Sequence, residues 1–205
     1  MARETRPIVK LSRREGYALH PKAHKALVKR SGPPGQQGTY AGRSKSSQYS
    51  LQLREKQKVK RLYGLLERQF SKLMEEASRT PGQSGATLLE YLERRLDNAI
   101  YRAGFAPSRR AGRQLATHGH FTVNGTRVDI PSLRLKPGDK IALRDASKKM
   151  DYFKQIDDLS PAPGNLPAWL KVNRKQFQID VTAKPTRDDA EPDIKEQLIV
   201  EYYSR

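Results

Sequence analysis

The chain has 205 residues, 40 of them Lys or Arg and 22 Asp or Glu, for a formal net charge of +18. At 36% hydrophobic residues it can bury a modest core in one or two domains, and part of it is expected to depend on a partner for order. The lack of cysteine excludes disulfides and thiolate metal sites, and no long apolar run, signal peptide or lipidation pattern is visible. The expectation is a soluble, cytoplasmic binder of polyanions, not a membrane protein.

The charge is concentrated. Residues 1–60 hold 15 basic and 3 acidic side chains, and residues 92–150 hold 13 and 5. Residues 61–91 are balanced and residues 151–205 are slightly acidic, with 8 basic and 10 acidic side chains. Two cationic blocks separated by neutral sequence point to two regions of contact with a polyanion such as folded RNA.

In chain order, residues 1–47 read as a basic N-terminal arm, extended with some short helix. Breakers at Ser31-Gly32-Pro33-Pro34-Gly35 and at Gly38 interrupt it, and its few apolar residues show no period. Residues 48–91 read as a helical domain, with Val59, Leu62, Leu66, Phe70 and Leu73 at spacings of three and four. Gly64 should divide that run into two helices. The opposite face of the first helix carries Arg54, Lys56, Lys58, Lys60 and Arg61, a pattern that fits either a solvated face or contact with a nucleic-acid backbone.

Residues 92–150 form the second cationic block. A helix over Thr87–Ala103 is predicted to point Leu89, Leu92, Leu96 and Ile100 at a core, with Arg94, Arg95 and Arg102 nearby and Gly104 as its stop. Ser108 looks like the N-cap of a second helix carrying Arg109, Arg110 and Arg113 and ending at Gly119. Two cations in the first turn oppose the helix dipole, which suggests an external anion such as a phosphate. Asn124-Gly125 between β-branched runs marks a tight hairpin in which Gly125 supplies positive φ. Lys136-Pro137-Gly138-Asp139 turns the chain into a strand over Lys140–Arg144.

Residues 151–205 change character. Asp151–Asp158 can complete a helix, Ser160-Pro161-Ala162-Pro163-Gly164 reads as a linker, and Trp169 and Leu170 offer an apolar anchor. Gln176–Val181 and Gln197–Tyr203 are rich in β-formers, and an antiparallel pair between them is expected.

Several blocks carry a resemblance. They are LSRREG (Leu11 to Gly16), PPGQQG (Pro33 to Gly38), LREKQKVKRLYG (Leu53 to Gly64), LERQF (Leu66 to Phe70), RLDNAIYRAGF (Arg95 to Phe105), VNG (Val123 to Gly125) and EQLIVEYYSR (Glu196 to Arg205). Together, and in this order, they resemble the bacterial-type small-subunit ribosomal protein S4 (uS4) family in its zinc-free form. The resemblance implies an α+β chain: a mainly helical domain of residues 48–91, completed by 151–205 with a β-hairpin, an inserted helix-helix-β S4 RNA-binding module over 92–150, and an extended basic arm. It also implies that Val9 and Ser12 stand where some family members place a zinc-binding Cys-x-x-Cys pair, so no zinc is expected. His20 and His24 alone give too few ligands, and His118-Gly119-His120 has no carboxylate cluster beside it.

No nucleotide-binding or metalloprotease motif occurs, so no enzymatic activity, cofactor or small-molecule substrate is expected. The candidate RNA-binding residues are Arg13, Arg14, Arg43, Lys45, Arg54, Lys58, Arg94, Arg95, Arg102, Ser108, Arg109, Arg110, Arg113, Gln114 and His118. Arginine can fork two phosphate oxygens and stack on bases, which suits an RNA junction read by shape. Arg95 and Asp97 also suit a structural pair within the core. Replacing Arg109, Arg110 and Arg113 together is expected to weaken RNA binding and spare the fold.

The resemblance implies a primary rRNA binder that nucleates subunit assembly, touches ribosomal protein S5 and other neighbouring small-subunit proteins, and influences decoding accuracy. It further implies that Arg43 and Lys45 face incoming mRNA where it enters the subunit, in a cytoplasmic or organelle ribosome. The alternatives are a module-bearing RNA-modifying enzyme and a free RNA chaperone.

Overall fold

A computed structural model of the chain describes residues 4–35 and 47–204, which fall into two compact units. The first holds the described residues up to Leu88 together with those from Asp193 onward, and the second spans Leu89–Pro192.

The first unit opens with helices α1 (Ile8–Glu15) and α2 (Ala23–Lys29). α1 ends at Gly16, whose φ of +62° is the left-handed stop that a side chain would resist. Ser12 is buried: its hydroxyl donates to the Ile8 carbonyl at 2.9 Å and accepts from the Leu19 amide at 3.3 Å. Leu11, Leu19 and Ala23 are buried with it. Residues 4–35 are therefore more helical than the expected extended arm. The apolar side chains that fasten α1 and α2 are too sparse to show a period in the sequence. Arg43 and Lys45, with the end of the PPGQQG block, lie outside the described residues.

α3 (Gln48–Leu62) and α4 (Glu67–Arg79) follow. The Ser47 hydroxyl caps α3 by accepting from the Ser50 amide at 3.2 Å. Gly64, at φ +67°, separates the two helices as its position predicts, and Val59, Leu62, Phe70 and Met74 face the core. The C-terminal helix, Glu196–Tyr203 (α11 in chain order), packs on α3. Gln52 Nε2 donates to Glu201 Oε2 at 2.7 Å, and the Lys56 ammonium sits 4.3 Å from the Tyr202 ring centre.

This overturns the strand expected over Gln197–Tyr203. Its β-branched and aromatic residues raise strand propensity, yet Ile199, Tyr202 and Tyr203 recur at helical spacing, and burial of Ile199 with contacts from both tyrosines to α3 and α4 decides the matter.

α5 (Ser84–Glu93) carries the chain into the second unit. The helix expected over Thr87–Ala103 is broken there. The Arg94 carbonyl accepts from the Leu135 amide at 2.9 Å, and the Leu96 amide donates to Leu133 at 2.9 Å. Arg95 is extended, opposite Arg134, so α6 restarts as Leu96–Arg102. α7 (Arg109–Thr117) crosses α6 closely: a Cβ on Gly112 would come 2.6 Å from the Asp97 carbonyl oxygen. Only hydrogen fits at that position.

Strands β1 (Phe121–Val123), β2 (Thr126–Val128), β3 (Lys140–Leu143), β4 (Leu170–Asn173) and β5 (Gln178–Val181) make one antiparallel sheet in the order β2-β1-β3-β5-β4. Asn124 and Gly125, at φ +51° and +81°, form the expected two-residue turn. The partner of β5 is β3 on one side, with Ile179 opposite Ile141, and β4 on the other.

Residues 151–192, grouped above with 48–91, therefore lie in the second unit. Phe153, Ile156, Trp169, Leu170, Ile179 and Val181 share its core with Phe105, Phe121 and Ile141, and only the residues from Asp193 onward return to the first unit. Asp151–Asp158 holds two single turns, α9 (Asp151–Lys154) and α10 (Ile156–Leu159), after α8 (Asp145–Lys148). No helix among the described residues is long and apolar enough to cross a membrane.

Candidate nucleic-acid interface

The α6–α7 pair organises the arginines of the second unit in two layers. The inner layer is ionic and mostly buried. The Asp97 carboxylate accepts from Arg95 Nε at 3.0 Å, Arg95 Nη2 at 2.8 Å and Arg113 Nη1 at 3.1 Å, with all three residues in the core. Glu93, fully buried, accepts from Arg102 Nε at 3.0 Å, Arg102 Nη2 at 2.9 Å and Asn98 Nδ2 at 2.8 Å. Asn98 Oδ1 in turn accepts from Arg109 Nε at 2.9 Å, and Arg109 Nη2 donates to Glu191 at 2.9 Å. Burial pushes the Glu191 carboxyl up, but Arg109 and Arg102 outweigh it and hold it below the usual range. Arg94 donates to the Leu135 carbonyl at 2.7 Å and to Glu90 at 2.8 Å.

The compensating anion foreseen for Arg109 is thus met by Glu191 of the same chain. Ser108 is the N-cap, as predicted, accepting from the Ala111 amide at 3.3 Å while itself buried.

The outer layer is the solvent face of α7. Arg110, Gln114, Thr117 and His118 are all exposed and recur at intervals of four, three and one, so they form one stripe. Two further arginines meet its C-terminal end. Arg144 Nη1 donates to the Gly119 carbonyl at 3.2 Å, and a Cβ on Gly119 would lie 2.7 Å from Arg127 Nε. Sequence reasoning missed Arg127 and Arg144, because nothing but the folded sheet brings β2 and the end of β3 to that helix terminus. Behind the stripe, His120 pairs with the Ser147 hydroxyl at 3.0 Å, and burial, with help from His118 and Arg144, lowers its pKa below the ordinary value.

In the first unit, Arg13 is turned onto the backbone, donating to the Gly32 and Pro33 carbonyls at 3.1 and 3.2 Å, while Arg14 is exposed. Arg54 donates at 3.2 Å to the buried Glu15 carboxylate, which also pairs with Arg61, and burial raises the Glu15 pKa. Lys58 is held by Glu55 at 2.8 Å and the Asp193 carbonyl at 2.7 Å.

Of the predicted residues, Arg110, Gln114 and His118 are brought together in the open, and Arg94, Arg95, Arg102, Arg109 and Arg113 are engaged within the protein. The expectation that Arg109, Arg110 and Arg113 can be removed together without harm to the fold is overturned. Two of the three neutralise buried or half-buried carboxylates. Among the described residues no three His, Asp or Glu side chains converge as metal ligands.

A family model described as "Ribosomal protein S4/S9 N-terminal domain" matches residues 3–93, and one described as "S4 domain" matches residues 94–141. The chain is 50% identical, over the whole length of both proteins, to the small ribosomal subunit protein uS4 of Roseiflexus castenholzii and to that of Chloroflexus aurantiacus. It is also 50% identical, with both chains fully covered, to the uS4 of Pelotomaculum thermopropionicum. The chain belongs to the uS4 family of small ribosomal subunit proteins.

Proposed function

We propose that the protein is a structural, non-enzymatic constituent of the small ribosomal subunit that binds small-subunit rRNA. The observation that carries this reading is the Arg110–Gln114–His118 stripe with Arg127 and Arg144 at its end, mounted on a helix whose inner arginines fix it to the core. A rigid helix edged with cations and amide groups suits a folded RNA surface, where phosphates give affinity and shape gives selectivity. Arg14 and the other exposed cations of residues 4–35 form a second region of contact. The inner arginines act by positioning the outer ones.

The finer role rests on family membership together with this charge pattern: early binding that nucleates assembly in a cytoplasmic ribosome, contact with S5, an effect on decoding accuracy, and approach of mRNA to Arg43 and Lys45. A module-bearing RNA-modifying enzyme is not favoured, since full-length uS4 relatives account for the whole chain.

The test is filter binding to naked small-subunit rRNA. Arg110→Ala, Gln114→Ala and His118→Ala together should weaken binding by roughly 1 kcal/mol or more per lost charge-assisted contact, with an unchanged melting temperature. Equal affinity for the variant and the parent would remove α7 from the interface. Failure of the protein to migrate with small subunits in a magnesium-containing sucrose gradient would refute the ribosomal assignment.

A further inference from the structure

The β1–β2 turn contains an Asn-Gly pair in open solvent, with Asn124 and Gly125 both exposed. This dipeptide is chemically labile, and asparagine is among the thermolabile side chains. The Gly125 backbone nitrogen, losing its proton, can attack Asn124 Cγ and close a five-membered imide as ammonia leaves. Water then opens the ring at either carbonyl to give aspartate or isoaspartate. The reaction needs no reagent beyond solvent, but it needs the carboxamide carbon to reach the following nitrogen.

In this fold Asn124 is fastened elsewhere by three hydrogen bonds. Its Nδ2 donates to Asp139 Oδ1 at 2.9 Å, its Oδ1 accepts from the Lys140 amide at 2.9 Å, and its own amide donates to the Lys140 carbonyl at 2.8 Å. The anchor is itself fixed. Asp139 Oδ2 accepts from the Lys136 amide at 2.7 Å, the Asp139 carbonyl accepts from the Val181 amide at 3.0 Å, and the Gly138 amide donates to the Val181 carbonyl at 2.8 Å. Both polar ends of the carboxamide are therefore tied to a turn that β5 holds in place.

We infer that Asn124 is a site of spontaneous deamidation that its own fold guards, through a clamp from Asp139 and Lys140, so that conversion proceeds only through molecules whose hairpin has opened. Conversion would also weaken the turn that had guarded the residue. An aspartate at 124 faces the Asp139 carboxylate where an amide donated before, and an isoaspartate lengthens the turn by one backbone bond, against the pairing of Val123 with Thr126. Modified molecules would reopen more readily than unmodified ones.

The experiment follows the 118–140 peptide by mass spectrometry during incubation of the full chain at 37 °C in mildly alkaline buffer. Parent protein, Asp139→Ala, Asp139→Asn and urea-unfolded parent are compared. The parent should convert far more slowly than its unfolded form. Asp139→Ala should convert about fivefold faster than the parent, the factor expected for one ordinary side-chain hydrogen bond. Asp139→Asn, whose single carboxamide oxygen can accept from Asn124 Nδ2 or from the Lys136 amide but not from both, should convert at a rate between those of the parent and Asp139→Ala. That contrast separates loss of the clamp from loss of the fold. Folded and unfolded parent converting at one rate, or the two variants converting alike, would overturn the inference.

Discussion

Asp97 holds Arg95 and Arg113 at once inside the core, and neither guanidinium has bulk water to turn to. Removing the shared acid takes a carboxylate away from two buried guanidinium groups, so Asp97→Ala should cost about 3–5 kcal/mol, read as a fall in denaturation midpoint. An unchanged midpoint would show that the pairs are dispensable. At this scale the sequence was legible in kind but not in assignment. Arg95 and Asp97 suited a structural pair from their place beside the apolar stripe. Nothing in the order of residues, however, told Arg110 from Arg109 or Arg113. That difference lies in the turn of α7 against α6, fixed where Gly112 meets the Asp97 carbonyl. Carboxylates distant in sequence, Glu93 and Glu191, then decide which arginines turn inward.

At the scale of elements, Gly64, the Ser108 cap and the Asn124-Gly125 hairpin were legible, because each is written in local backbone chemistry. Two other expectations failed because non-local partners won. The helix entering α6 breaks where residues 94–97 hydrogen-bond to 131–135, and the C-terminal segment is helical because α3 offers a surface for Ile199 and the two tyrosines.

The docking of that last helix has an acid signature. Burial works against ionisation of Glu67, but Lys56 at 2.7 Å, Lys60 at 2.6 Å and the Tyr203 hydroxyl at 2.9 Å hold its pKa down to about 2. A depressed carboxyl contributes stability above its unfolded pKa of 4.5 and loses it as pH falls from there toward 2. The Glu67 side chain is nearly half exposed, so solvent screening keeps the effect modest. Glu67→Gln should lower stability near neutrality and flatten the acid limb of a pH-melting curve between those values. A variant whose acid limb overlays that of the parent would separate Glu67 from the docking of α11.

For the whole molecule, the net charge of +18 and its division into two cationic blocks determine how binding responds to ions. The logarithm of the rRNA binding constant should fall steeply and linearly with the logarithm of salt concentration. Arg110→Ala should reduce the slope by somewhat under one unit, near the ~0.7–0.9 expected per phosphate contact. Asp97→Ala, which disturbs the supporting layer, should weaken binding by another route, through the fraction of molecules correctly folded. Slopes for Arg110→Ala and the parent that coincide would mean that Arg110 touches no phosphate. Family and charge partition were readable from the chain alone. The division into units was not, because residues 151–192 reveal their allegiance only through a sheet whose strands run from Phe121 to Val181.

That allegiance limits how the protein can be cut. With β5 seated on β3, a fragment ending near residue 150 would leave the backbone of Lys140–Leu143 as a bare edge and uncover Ile141 and Phe121. Unpaired edges of that kind recruit other chains. A recombinant piece spanning 89–192 should stay monomeric in gel filtration, and one spanning 92–150 should self-associate. Equal behaviour of the two pieces would show the shorter span to be self-sufficient.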